Sequence, residues 1–461
     1  MCGIFGVYGL PNAAEVTHLG LYSLQHRGQE SAGIIAVDGT TVARGSRRMG
    51  LVSEGLSPRE LEALAGHLAI GHTRYSTAGS STLENAQPVL ARFKGGHIAL
   101  AHNGNLTNAT ELRAELEDGG SIFASSMDSE VIVHRLARSR ARAPEQMLAE
   151  ALTGVEGAYC LVVVIGETLL AARDPHGWRP LVIGSLGDGY VVASETCALD
   201  IVGAQLMREI VPGEIVAVDR QGLRSVQAFP AARPLTRCVF EHVYFARPDS
   251  YVFGGSVDRA RRALGRQLAK EQPAKGADLV FAVPDSSNAA ALGYAEESGI
   301  PLELALIRNH YVGRTFIQPT QAGRNAKVKV KYNPVREVLV GRSVVMIDDS
   351  IVRGTTTRGL VALIRAAGAR EVHMRVSSPP ITGPCYYGID TPSREELIAF
   401  NHSREEIEEL IGVDSLGYLS LEGMLHAVPG GPHGFCHACF SGQYPTRPPI
   451  DVDKLRFVHA S

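Results

Sequence analysis

Through the first half of the chain, apolar residues fall into short runs separated by glycine-rich turns. The runs Gly3–Tyr8, Ala32–Val37, Leu68–His72, His97–Ala101, Tyr159–Ile165, Pro180–Gly184 and Tyr190–Ala193 have the length and spacing of strands in an antiparallel or mixed β-rich domain. Two stretches change period. Asn108–Glu117 and Asp128–Arg138 read as helices, the second with Val131, Ile132 and Leu136 on one face. Around Phe229–Ser250 the pattern dissolves into prolines and irregular sequence, so a domain boundary is expected there, dividing residues 2–230 from 231–461.

The second half has a different rhythm. Helical periodicity over about Val257–Gln272 leads to a strand at Asp278–Val283, a helix at Asn288–Ser298 and a strand at Leu302–Ile307. A polar, basic stretch from Asn309 to Arg336 follows. Then come a strand at Ser343–Ile347, a helix at Thr356–Ala367 and a strand at Glu371–Val376. Alternation of strand and helix predicts a parallel sheet wrapped by helices. The acidic segment Arg394–Ile411 reads as solvated helix faces.

Composition narrows the class. With 461 residues the chain has room for two or three domains, and 45% hydrophobic with 20% charged residues is ordinary for a globular protein. A net charge of −3 argues against a general nucleic-acid or membrane-surface binder. No apolar run approaches the roughly 20 residues of a membrane span, and no secretory signal opens the chain, so a cytoplasmic location is expected. Seven scattered cysteines do not suggest a disulfide framework.

One of those cysteines is Cys2. Loss of Met1 would give it a free α-amine titrating at about 7.7–8.0, so one residue would hold both nucleophile and base. Four further positions carry matching chemistry. Arg74 offers a guanidinium fork for an amino acid's carboxylate, and Asp128 a carboxylate for its ammonium. The Asn103 side-chain amide and the Gly104 backbone N–H can receive the negative charge of a tetrahedral intermediate. Singly these are an ion-pair residue, a helix N-cap and a hairpin turn. Together they meet the needs of a thiol attacking the side-chain amide of glutamine.

The segments Cys2–Gly6, His26–Ser31, Gly71–Thr77 and Ala101–Leu106 resemble the glutaminase domain of class II glutamine amidotransferases. That resemblance implies an N-terminal-nucleophile hydrolase fold, an αββα sandwich over residues 2–230. It also implies Cys2 as nucleophile, Arg74 and Asp128 as glutamine-binding residues, and Asn103 with Gly104 as the oxyanion hole.

In the second half, Val344–Ile347 delivers Asp348 and Asp349 to a strand tip, and Ser350-Ile351-Val352-Arg353-Gly354-Thr355-Thr356-Thr357 then opens a helix. Ligands bind open parallel sheets at such tips. The turn's N–H groups and threonine hydroxyls suit a phosphate, and the two carboxylates suit sugar hydroxyls and a phosphate-bound Mg²⁺. The stretch resembles the phosphoribosyl-pyrophosphate motif of type I phosphoribosyltransferases, an α/β fold with a parallel sheet. Joined to the first half, it resembles the amidophosphoribosyltransferase family. Pro284–Ser287 and Tyr311–Ile317 extend the match.

That resemblance implies a Mg²⁺ site at Ser287, Asp348 and Asp349. It implies substrate contacts from Ser350, Arg353, Gly354, Thr355 and Thr356, and a closing loop holding Arg314, Lys327, Lys329, Lys331 and Arg336. It further implies purine nucleotide inhibitors, a homotetramer, and an enclosed passage for ammonia between the two sites.

Cys160 and Cys197 lie in apolar runs and read as core. Cys238, Cys385, Cys436 and Cys439, the last two a C-x-x-C, could bind zinc or an iron–sulfur cluster. One branch of the family carries a [4Fe–4S] cluster on cysteines arranged like these, and the resemblance favours that cluster. Members of that branch commonly carry a short propeptide, whereas only Met1 precedes Cys2 here; a chain retaining Met1 should lack glutaminase activity. Two other readings are weighed. A sugar-phosphate aminating amidotransferase would lack the Asp348-Asp349 turn. A phosphoribosyl-binding regulator would leave Cys2, Arg74 and Asp128 idle.

Overall fold

Along the strand Gly3–Tyr8 successive side chains point to opposite faces: Phe5 and Val7 enter one core, Ile4 and Tyr8 another. Both faces of this strand are therefore covered, and the layering of the first unit follows from it. The computed structural model describes all residues except 40–42, 56, 77–78, 312–329, 392, 450–456 and 459–461. They divide into two units, each described by itself: unit 1 is Met1–Cys238 with Cys385–Asp390 and Tyr444–Ser461, and unit 2 is Val239–Pro384 with Thr391–Gln443. Unit 1 thus runs past the boundary expected after residue 230 and takes in two later segments.

Unit 1 holds two antiparallel sheets. The first has seven strands in the order Gln205–Glu209, Val182–Leu186, Gly189–Ala193, Gly3–Tyr8, Leu68–Arg74, Ser31–Val37, Ala43–Met49. The second has six, in the order Gly222–Gln227, Glu214–Asp219, Thr168–Arg173, Gly157–Ile165, Gly96–Leu106, Val89–Phe93. Their facing surfaces share Ile4, Ile35, Ile70, Ala99, Val162 and Val216. The helices Ala13–Ser23 and Cys197–Val202 cover the first sheet's outer face through Phe5, Leu21 and Ala198. The helices Glu130–Arg138 and Pro144–Leu152 cover the second through Leu100, Ile132, Leu148 and Leu161. This is the expected αββα sandwich.

The helix Ala13–Ser23 was not expected. Its buried face is Ala13, Ala14, Val16, Thr17, Gly20 and Leu21, correctly spaced for a helix but built of small residues that dilute the apolar signal. Gly20 has to be small, because a Cβ there would stand 2.4 Å from the Phe5 ring.

Unit 2 is built on four parallel strands in the order Leu279–Ala282, Ser343–Asp348, Glu371–Val376, Ser415–Tyr418. Helices Val257–Glu271, Asn288–Ser298 and Thr355–Ala366 match the expected ones within a residue or two. The strand expected at Leu302–Ile307 does not join this sheet. Leu302 makes a single bridge to Val280, and Leu306–Arg308 pairs antiparallel with Tyr332–Pro334. Leu304 is 75% exposed, so the run lacks the two covered faces of a central parallel strand. Ser415–Tyr418 is the fourth strand instead. In the acidic segment, Glu395, Glu405, Glu406 and Glu409 are exposed as expected, while Glu408 turns back to accept from the Leu416 N–H at 2.8 Å.

Candidate active sites

Strand Gly3–Tyr8 sits between Leu68–Arg74 and Gly189–Ala193, so Cys2 emerges from the middle of the first sheet. Its backbone is held from several directions. Cys2 N donates to Asn103 Oδ1 at 3.1 Å, and the buried Arg27 donates through Nε to the Cys2 carbonyl at 3.0 Å. Arg27 is itself paired with the buried Glu195, which also takes His26 Nε2 at 2.8 Å. The Cys2 thiol lies 3.6 Å from the Tyr75 carbonyl.

Asn103 is fully buried. Its Oδ1 takes the Cys2 nitrogen, and its Nδ2 is a buried donor with no acceptor among the described residues. Buried polar groups are nearly always satisfied, and an orphan beside a nucleophile is what an oxyanion site supplies. Gly104 follows in the same strand. A Cβ there would stand 1.9 Å from the Ala158 carbonyl oxygen, so glycine is required by the approach of the neighbouring strand.

Cys2, Arg74, Gly104 and Asp128 line one pocket with Tyr75, Ser76, Gln87, His102 and Met127. The sequence-predicted residues of the first half are thus brought together. Arg74 is buried, donates to the Ser80 carbonyl at 3.0 Å and lies 3.8 Å from Glu30. Burial lowers its pKa, opposed by the negative charges of Cys2, Glu30 and Asp128. Asp128 accepts from the Leu106 N–H at 2.9 Å through Oδ2 and from the Ser129 hydroxyl at 3.2 Å through Oδ1. Each oxygen keeps capacity for a further donor.

Sequence reasoning missed the brace behind these groups. Gln87 accepts from His102 N at 2.8 Å and donates to Ser129 Oγ at 3.2 Å, joining the strand of Asn103 to the start of Asp128's helix. Arg27, Glu195 and Gln87 come from three separated segments. Only the His26–Ser31 run carried any signal for them.

In unit 2 the strand Ser343–Asp348 delivers Asp348 and Asp349 to its tip, and Gly354, at φ +72°, turns the chain into the helix Thr355–Ala366. Asp348 Oδ1 accepts from Ser287 Oγ at 3.1 Å and from Asp349 N at 2.9 Å. Asp349 accepts from Ser286 at 2.6 Å and from Ser350 at 2.7 Å. Asp348 is raised well above the usual carboxylate pKa by burial, then by the adjoining Asp349. Asp349 is raised by burial, which outweighs the hydroxyls of Ser286 and Ser350. The two acids, Ser350, Arg353, Gly354, Thr355 and Thr356 line a single pocket with Tyr244, Pro284 and Tyr332.

Lys331 Nζ lies 5.0 Å from the Tyr332 ring centre, and its charge lowers the Asp348 pKa. Arg336 is exposed. Arg314, Lys327 and Lys329 lie outside the described residues.

Among the described residues no group of three or more His, Cys, Asp or Glu side chains gathers as a metal site. The donors at the strand tip still suit Mg²⁺: two adjoining, desolvated carboxylates beside the hydroxyls of Ser286, Ser287 and Ser350. For the cysteines, none of the seven forms a disulfide. Cys160 and Cys197 are core, the Cys160 thiol pushed far up by burial. Within unit 2, Val239 N donates to the Cys436 carbonyl at 3.2 Å, and Thr382 N and Gly383 N donate to the Cys439 carbonyl at 2.9 and 3.0 Å. Val239 is bonded to Cys238, and Gly383 is two residues from Cys385. Cysteine thiolates are donors of the kind that zinc or an iron–sulfur cluster takes.

A family model described as a glutamine amidotransferase domain matches residues 72–200. The chain is 51% identical over 448 residues to amidophosphoribosyltransferase 1, chloroplastic, of Arabidopsis thaliana, covering 97% of this chain and 79% of that protein. It is 50% identical over 450 residues to the amidophosphoribosyltransferase of Bacillus subtilis, covering 96% and 94%. It also superposes with a TM-score of 0.91 and 48% identity on the glutamine phosphoribosylpyrophosphate amidotransferase of B. subtilis complexed with ADP and GMP, covering 98% of this chain and 99% of that one.

Proposed function

The chain belongs to the amidophosphoribosyltransferase family, and from that premise we infer how its two sites divide one reaction. It transfers ammonia from glutamine to phosphoribosyl pyrophosphate, giving 5-phosphoribosylamine, glutamate and pyrophosphate, the first step of purine nucleotide synthesis. The observation that carries the first half is Asn103: one end of its side chain holds the Cys2 nitrogen, the other is a buried donor awaiting an acceptor.

In the proposed sequence, removal of Met1 frees the Cys2 α-amine. Burial holds the α-amine of Met1 near a pKa of about 6, so a similarly enclosed amine on Cys2 would be neutral and able to take the thiol proton. Arg74 and Asp128 hold the glutamine carboxylate and ammonium. The sulfur attacks the side-chain carbonyl carbon, and Asn103 Nδ2 and the Gly104 N–H receive the oxyanion. Collapse expels ammonia, which takes the proton, and leaves a glutamyl thioester that water hydrolyses. In unit 2 the turn Ser350–Thr356 binds phosphate, and Ser287, Asp348 and Asp349 would hold Mg²⁺. A bound Mg²⁺ would offset the charge of the pyrophosphate leaving group. Lys331 and Arg314 would draw the closing loop toward that charge.

We also propose a [4Fe–4S] cluster on Cys238, Cys385, Cys436 and Cys439, with structural zinc as the alternative. A brown anaerobic preparation absorbing near ~400 nm supports the cluster, and a colourless, zinc-loaded one excludes it. Purine nucleotide inhibition is proposed from the ADP and GMP bound to the B. subtilis relative, and a homotetramer from the family resemblance. Among the described residues no helix is long and apolar enough to cross a membrane.

The reaction is tested by mass balance. Incubation with glutamine and phosphoribosyl pyrophosphate should yield glutamate and pyrophosphate in equal amounts, and Cys2→Ser should abolish both. Glutaminase activity surviving Cys2→Ser would refute the assigned nucleophile.

A further inference from the structure

The segment Cys385–Asp390 belongs to unit 1, although Pro384 and Thr391 on either side of it belong to unit 2. Chain adjacency does not explain that placement, but specific contacts do. Tyr387 stacks on the buried Trp178 with ring centres 3.8 Å apart and planes 15° from parallel. The Tyr387 carbonyl accepts from buried Arg179 at 2.6 Å (Nη2) and 3.2 Å (Nε). Asn105 Nδ2 donates to the Tyr386 carbonyl at 2.9 Å.

Beside Gly104 the strap passes through Gly388, whose φ is +105°. A Cβ on it would stand 3.0 Å from the carbonyl carbon of Gly104 and 3.1 Å from its Cα and carbonyl oxygen. The strap therefore packs closely enough on the Gly104 backbone to leave no room for a side chain, and it accepts a hydrogen bond from the residue after Gly104. Glycine has the greatest backbone freedom of any residue, so an N–H that must be preorganised on a glycine needs an external constraint.

We propose that the strap Tyr386–Asp390 is a positioning element of the ammonia-releasing site. It fixes the Gly104 backbone so that its N–H already stands where the oxyanion forms. The proposal rests on the reading of Gly104 as an oxyanion donor. Loosening the strap should then slow the chemical step and leave glutamine binding by Arg74 and Asp128 intact.

The test compares Gly388→Ala, Asn105→Ala and their combination with the parent enzyme. Rates are normalised to the fraction of Cys2 that reacts with a glutamine-like electrophile such as a diazoketone. We expect kcat for glutamine hydrolysis to fall tenfold or more in Gly388→Ala and three- to tenfold in Asn105→Ala. KM for glutamine should stay within twofold, and synthesis driven by added ammonium should be unchanged. The double variant should lose little more than the worse single one, since both act through the same contact.

A folded Gly388→Ala enzyme with kcat within twofold of the parent overturns the proposal. So does a rise in KM at constant kcat. If Gly388→Ala does not fold, Asn105→Ala decides alone by the same criteria. Failure of the parent's Cys2 to react with the electrophile would instead defeat the assignment of the site itself.

Discussion

Asn103→Asp separates the two jobs of one side chain. The isosteric carboxylate keeps an oxygen where Oδ1 accepts from the Cys2 nitrogen at 3.1 Å, so the nucleophile stays anchored. It replaces Nδ2, the buried donor with no acceptor among the described residues, by a second oxygen that would repel a developing oxyanion. Removing one oxyanion donor from an acyl-transfer site costs about 10²–10³ in kcat, or about 2.7–4 kcal/mol. The upper end is expected here, since a repulsive group takes the donor's place. KM for glutamine should hardly move, because the proposed contacts of Arg74 and Asp128, which line the same pocket, would be to the far end of the substrate in ground and transition states alike. The assay is steady-state glutamate release, run beside ammonium-driven phosphoribosylamine synthesis, which should be retained. Thermal unfolding is followed as well, because a buried carboxylate lowers stability on its own. A folded Asn103→Asp enzyme whose kcat stays within tenfold of the parent would refute the argument, as would a loss confined to KM.

Two further outcomes follow from the same geometry. Asp128→Asn keeps the shape and an acceptor for the Leu106 N–H but removes the charge proposed to face the substrate ammonium. Losing a charge-assisted bond of about 1.5–3 kcal/mol should raise KM for glutamine roughly ten- to hundredfold with kcat little changed, measured by glutaminase kinetics. Asp348→Asn should abolish ammonium-driven synthesis and change stability in the opposite sense. The Asp348 pKa is raised on folding, so its favourable contribution is complete below the ordinary carboxylate range and is lost as pH rises through the folded value. Without Mg²⁺, urea unfolding of the parent should weaken from about pH 4 upward, and Asp348→Asn should be more stable at pH 8, on the order of 1 kcal/mol. A variant no more stable than the parent at pH 8 would show that the acid pair is not under charge stress.

The sequence was most legible where one physical signal dominated. Strands such as Gly3–Tyr8 and Tyr159–Ile165 are continuous apolar runs because both their faces are covered, and they were placed within a few residues. The Asp348-Asp349 tip announces itself because two acids on a buried strand have no reason in packing. Legibility failed where several weak signals had to be summed over distance. The helix Ala13–Ser23 buries small residues, Ser415–Tyr418 is four residues long, and Leu302–Ile307 looks like a strand until the exposure of Leu304 is known. Glu195 and Gln87 brace Cys2 and Asp128 from remote segments, and no local spacing could have found them.

What the two sites share is an incomplete charge balance, with opposite signs. In unit 1 a donor, Asn103 Nδ2, is buried with nothing among the described residues to accept it. In unit 2 two adjoining, desolvated acceptors, Asp348 and Asp349, are each pushed toward the protonated form despite the charges of Lys331 and Arg261. Either arrangement lowers the stability of the resting protein, and folding alone gives no reason to keep it. Each is relieved by a different partner: an oxyanion that exists only while the glutamine amide is being broken, and a cation carried by a diphosphate. These departures from the rules of packing are what mark the sites as chemical. They also explain why ligand-free stability and catalytic rate should move in opposite directions when Asp348 is neutralised.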